Sequence, residues 1–136
     1  MEWTQTLLAG MTLRTPGVSA DLLAEAEEDL GQALPDELAK LYAQCDGGAG
    51  KLGAREFVWW SLDELVDENI AQEVTAVVPG LLLIGTDAGT EAVGFLEKRY
   101  PQKPWGRISL MAGSGDEFQP LAATLAELLD ALSHGR

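Results

Sequence analysis

The chain carries one thiol, Cys45, one imidazole, His134, and 22 carboxylates among 136 residues. A nucleophilic cysteine needs a base or an electropositive setting to hold it as thiolate. Cys45 instead follows Leu38, Leu41 and Tyr42 at helical spacing, near a negative helix C-terminus, and reads as a buried structural thiol. His134 lies two residues from the end of the sequence, where a cation suits the end of a helix dipole. One cysteine excludes an intramolecular disulfide and a multi-thiolate metal site. Gly47-Gly48-Ala49-Gly50-Lys51 resembles a phosphate loop only superficially. The first glycine of that motif would fall on Cys45, and Leu52 stands where a hydroxyl would hold magnesium. The segment reads as a flexible helix-to-strand loop. No catalytic residue, metal ligand or cofactor site is assigned.

The carboxylates suit recognition better than catalysis. Asp63, Glu64, Asp67 and Glu68 fall at the start and on the solvent side of one helix, as a solvated face or as an acidic face that meets a basic partner. Asp87 and Glu91 flank a turn that lacks the alternating oxygen ligands of a calcium loop. Trp59 and Trp60 are neighbours in a strand, so their side chains point to opposite faces: one belongs to the core, and the other is either exposed or packed under a helix. Trp105 lies in the loop Lys103-Pro104-Trp105-Gly106-Arg107. Tryptophan is favoured at binding hot spots. The candidate partner-binding residues are therefore Trp59, Trp60, Asp63, Glu64, Asp67, Asp87, Glu91 and Trp105.

The elements that must position them follow from periodicity and punctuation. Trp3, Leu7, Leu8 and Met11 recur at helical spacing and predict a short first helix, broken at Thr15-Pro16-Gly17. Residues 1–18 are read as that helix and a linker. Ser19 is an N-cap for a helix with Leu22, Leu23, Ala26 and Leu30 on its stripe, stopped by Gly31. Pro35 opens the next helix, with Asp36 and Glu37 complementing its dipole. Glu56–Trp60 is aromatic and β-branched and predicts a strand. Ser61-Leu62-Asp63-Glu64 is a capping box that starts a helix faced by Leu62, Leu65, Val66 and Ile70. Leu81–Ile84 predicts a buried strand, Asp87–Thr90 a turn, Glu91–Leu96 the returning strand and Arg107–Met111 a further one. Thr124–Glu127 is a second capping box, followed by Leu125, Leu128, Leu129 and Leu132 at i, i+3, i+4, i+7. Consecutive strands joined by short turns pair mainly antiparallel. The fold class is α+β: a small, mainly antiparallel sheet covered on one face by helices, in one domain over 1–136.

Nine basic against 22 acidic residues give a net charge of −13. The first hundred residues hold 18 of the acids and 6 of the bases. That balance excludes partners that demand a basic face, namely nucleic acid and anionic membrane surfaces. The start lacks a signal-peptide pattern, and the longest apolar stretch, Val77–Ile84, is interrupted by Pro79 and Gly80. A cytoplasmic protein is expected.

Four segments carry a family resemblance. They are Leu30-Gly31-Gln32-Ala33-Leu34-Pro35 with Leu38, Tyr42 and Gly47-Gly48; Trp60-Ser61-Leu62-Asp63-Glu64-Leu65; Ile84-Gly85-Thr86-Asp87 continuing to Phe95; and Leu121–Leu129. In that order, over about residues 19–133, they resemble the SUKH superfamily of Smi/Knr-type proteins. Ala88 and Thr90 dilute its glycine-rich turn, and its acid after the aromatic is shifted to Glu97. The resemblance implies a non-enzymatic binding protein. Many bacterial members resemble immunity proteins that block a polymorphic toxin domain, often a nuclease, and fungal relatives act in cell-wall regulation. The expected partner is a basic toxin domain, with this chain a monomer or weak homodimer. The alternatives are a regulatory or scaffold module for an endogenous protein, and a hydrolase using paired carboxylates.

Overall fold

The computed structural model describes residues 7–87, 91–112 and 114–135. Seven strands form one antiparallel sheet in sequence order. They are β1 (Met11–Leu13), β2 (Gly48–Leu52), β3 (Arg55–Trp59), β4 (Leu82–Thr86), β5 (Glu91–Phe95), β6 (Trp105–Ser109) and β7 (Gln119–Ala122). The helices are α1 (Ala20–Leu30), α2 (Asp36–Gln44), α3 (Leu62–Ala71), the single turn α4 (Val74–Val77) and α5 (Leu125–Ser133). This is the expected α+β class. Phe57, Trp59 and Ile84 face a core shared with Leu41 of α2 and Leu125 and Leu129 of α5. On the other face of the first three strands, Thr12, Ala49, Lys51 and Glu56 meet solvent.

Three expectations are corrected. Met11 belongs to a strand rather than to a first helix, and Trp3 lies outside the described residues, as does most of the Asp87–Thr90 turn. Gly47–Lys51 is not a flexible loop: Gly48 onward is β2, paired on both sides. A Cβ on Gly48 or Gly50 would stand 2.7 or 2.6 Å from a carbonyl oxygen of Thr12 or Gly10. Glycine is there because two backbones approach closely. On α3, Ile70 is 54% exposed, and the buried third residue of the stripe is Asn69.

Helix α3 is held at both ends. Ser61 Oγ accepts from Glu64 N, and the Glu64 carboxylate accepts from Ser61 N at 3.2 Å, completing the capping box. Asp46 accepts from Leu62 N at 2.8 Å. The Tyr42 hydroxyl donates to Trp60 O at 2.6 Å, fixing the corner where the chain leaves the sheet. Further along, Asn69 Nδ2 donates to Leu65 O and to Leu83 O, both at 2.8 Å, and Oδ1 accepts from Leu83 N at 2.9 Å. β3 pairs with β4 only at Val58–Thr86 and Trp59–Gly85. Asn69 therefore serves the β4 backbone where β3 no longer reaches it. The connection to α4 passes through Glu73, whose φ of 49° and ψ of 43° are left-handed. A Cβ residue there is strained.

Asn69→Ala leaves the buried Leu83 N–H and C=O without their partner, and we expect a loss of about 3 kcal/mol, read as a fall in the urea midpoint at unchanged m. Glu73→Gly removes the left-handed strain and is expected to raise Tm by about 2–4 °C in a calorimetric scan. The Ser61 N–H bond, above all, holds the Glu64 pKa below the usual carboxylate range; partial burial opposes it, while the Ser61 hydroxyl and Arg14 assist. The folded value lies below the unfolded one, so its contribution is full above about pH 4.3 and is lost as pH falls through the folded value. Glu64→Gln should flatten the acid limb of the stability–pH profile below that pH and leave its alkaline limb unchanged.

Candidate protein-binding groove

Helices α1 and α3 lie side by side and leave two open clefts between them. The first, about 340 Å³, is lined by Val18, Leu22, Glu25, Ala26 and Asp29 on one side and by Asp46, Leu62, Asp63, Val66 and Asp67 on the other. The second, about 290 Å³, runs from Asp29, Leu30 and Gln32 to Asn69, Ile70 and Glu73. Residues of the two helices meet in ascending order, so the helices run in the same direction. Asp29 lines both clefts, which lie one after the other along the α1–α3 seam and together are called the groove. Six carboxylates line it: Glu25, Asp29, Asp46, Asp63, Asp67 and Glu73. No described Lys, Arg or His does. Leu22, 52% exposed, and Ile70 give it an apolar side chain toward each end.

The residues singled out from sequence divide three ways. Asp63 and Asp67 stand in the groove, exposed. Glu64 is exposed but committed: it completes the cap and accepts from Arg14 at 3.0 Å. Asp87 and Glu91 belong to the β4–β5 hairpin. Asp87 is paired with Arg55 at 3.4 Å, and half-buried Glu91 lies opposite Ser109. The three tryptophans are corrections. Trp59, Trp60 and Trp105 are all buried, at 3%, 7% and 1% exposure. Trp60 stands just past the end of β3, so alternation does not push it outward, and its backbone N–H donates to Ile84 O at 3.1 Å. Trp105 opens β6 rather than a loop, and its ring sits 4.7 Å from that of Phe95, its cross-strand neighbour.

Glu25, Asp29, Asp46 and Glu73 were not among the candidates. Glu25–Asp29 and Asp63–Asp67 are both i,i+4 pairs, so each helix presents two like charges on one face, a mildly destabilising arrangement. That spacing was readable; that the two faces oppose each other was not, because it depends on where α3 docks.

Other polar clusters have structural explanations. Ser133 Oγ and Asp130 Oδ1 both meet His134 at Nδ1, at 3.3 and 3.5 Å. A hydrolytic relay needs the acid on one ring nitrogen and the nucleophile on the other. The same Nδ1 lies 2.8 Å from Asp130 O, making His134 a C-terminal cap of α5, as expected. Burial, with Asp46 adding to it, raises the pKa of the Cys45 thiol and so disfavours thiolate. Burial likewise pushes the Tyr42 hydroxyl well above its ordinary range. Among the described residues no group of three or more His, Cys, Asp or Glu could hold a metal ion. Among them, too, no helix is long and apolar enough to cross a membrane.

No curated protein matches the chain. The family model of the SMI1 / KNR4 family (SUKH-1) matches residues 17–131. That span takes in both walls of the groove, the strands from β2 to β7 and nearly all of α5, and on its extent the chain belongs to the SMI1 / KNR4 family.

Proposed function

We propose that the chain acts by binding, as an immunity-type protein that neutralises a basic toxin domain, of the nuclease kind, by covering its active site with the α1–α3 groove. The groove itself carries the reading: six carboxylates line it with no basic residue among its described lining. Surfaces that work on nucleic acid are basic, and an acidic groove presents them with a substitute for phosphate. Long-range attraction of this kind speeds encounter and is weakened by salt. The apolar contacts that hold a complex once formed would come from Leu22, Ile70 and the Val18–Leu62–Val66 floor, since charge alone gives rate more than affinity. Family membership supports a binding role without naming the partner.

Two measurements test this. Co-expression with the toxin domain encoded beside it, followed by pull-down and a viability assay, should show binding and protection. Failure with every neighbouring toxin domain sinks the immunity reading. Charge reversal by Asp63→Lys with Asp67→Lys keeps Glu64 and its cap. It should slow association at low salt about tenfold or more and flatten the salt dependence, with the circular dichroism spectrum unchanged. Equal on-rates would place the interface elsewhere.

A further inference from the structure

The segment Leu7–Leu13 lies before the part of the chain that matches the family, which begins at residue 17. It contributes two buried side chains, Leu8 and Met11, and one strand to the domain, with Leu7 and Leu13 packed against the core. Leu8, 3% exposed, fills a niche among Leu41, Phe57, Trp59, Leu125 and Leu129, leaving only about 10 Å³ unfilled. β1 then pairs with β2 alone, through Met11–Gly50, Thr12–Ala49 and Leu13–Gly48. The receiving edge is shaped for a backbone, since Gly48 and Gly50 leave no room for a Cβ beneath β1. Just downstream the chain is firmly tied. Arg14 N donates to Gly47 O at 2.9 Å, Asp46 N to Arg14 O at 2.7 Å, and Val18 N to Tyr42 O at 2.7 Å.

We propose that Leu7–Leu13 is an exchangeable strap and that the second occupant of its seat is the same segment of another copy of this chain, giving a strand-swapped dimer. The swing point lies at Arg14, downstream of which the chain stays in place. Lifting it uncovers a strand edge with free N–H and C=O groups, together with the apolar seats of Leu8 and Met11. The segment that fits both in the correct register is another strap. Exchange reproduces every contact of the closed form, so the two states differ in association entropy and in hinge geometry, and the dimer share rises with protein concentration. A three-residue edge strand belongs to the part of a fold that opens first. The strap must leave its own seat before it can enter another, which makes exchange slow. The proposal is independent of the acidic groove.

Thr12 and Ala49 are directly paired and both exposed. Chains carrying Thr12→Cys and chains carrying Ala49→Cys, each with Cys45→Ala, would be mixed at high concentration and oxidised. Exchange predicts a covalent dimer whose peptide map joins position 12 of one chain to position 49 of the other. The double variant Thr12→Cys with Ala49→Cys, oxidised when dilute, should close within one chain and so shows that the pair has the right geometry. A mixture that forms no 12–49 link while the dilute double variant closes overturns the proposal. So does unmodified protein that sediments as monomer alone up to its solubility limit.

Discussion

Helix α3 stands where it does because a side-chain amide takes the place of a strand. β3 leaves the sheet after two paired positions with β4. At Leu83 the β4 backbone would then face the interior with both its polar groups unmet, a cost of kilocalories that native folds avoid. Asn69 meets both groups, and its second amide hydrogen returns to Leu65 O on its own helix. Three of its four hydrogen-bonding positions are used in a buried setting. That satisfaction is strong enough to set a rotation for α3, because turning the helix by one residue would replace Asn69 with Glu68 or Ile70. With the rotation set, Leu62 and Leu65 go to the core, while Asp63 and Asp67 must face α1.

The corner that feeds α3 is held by polar bonds of the same kind. Asp46, two residues past the end of α2, accepts from Leu62 N, and Tyr42, within α2, donates to Trp60 O. Both residues lie ahead of the sheet's central strands in sequence, and both reach across to a turn that would otherwise be free to swing. The aromatic content that reads as an exposed binding strip thus goes into building this corner. Trp59 packs against Tyr42 with the rings tilted and their centroids 4.9 Å apart, and Trp60 turns inward beyond the strand end.

Local signals carried well into the structure and long-range ones did not. The Ser61–Glu64 box, the Ser19 cap with its Gly31 stop and the leucines of α5 depend on residues within a few positions of one another, and each is found as read. The glycines of β2 were misread because their cause lies elsewhere in the chain: β1 passes over them, and only the register reveals it. Asn69 shares the Leu62–Leu65 stripe at the right spacing, yet a polar residue at a core position is credible only when its partners are known. Those partners are the backbone of a strand fourteen residues away. The groove was half legible for the same reason. Asp63 and Asp67 were visible as an acidic helix face, but their juxtaposition with Glu25 and Asp29 follows from the docking of α3.

That juxtaposition bears on why the acids are there. Solubility asks only for net charge, which scattered carboxylates supply as well as clustered ones. Two like-charged i,i+4 pairs facing one cleft, with no described cation lining it, lower stability where a lysine at any one position would raise it. Elsewhere this chain does pair its charges, as Arg14–Glu64, Lys51–Glu56 and Arg55–Asp87 show. The groove also leaves Leu22 and Ile70 exposed toward its two ends, in helices whose other large apolar residues are buried or half-buried. A local departure from the pattern that the rest of the fold obeys, repeated in charge and in hydrophobicity at one place, is the mark of a surface shaped by something other than folding. The partner that relieves both departures has cations spaced to meet the carboxylates and apolar side chains to cover the two exposed ones.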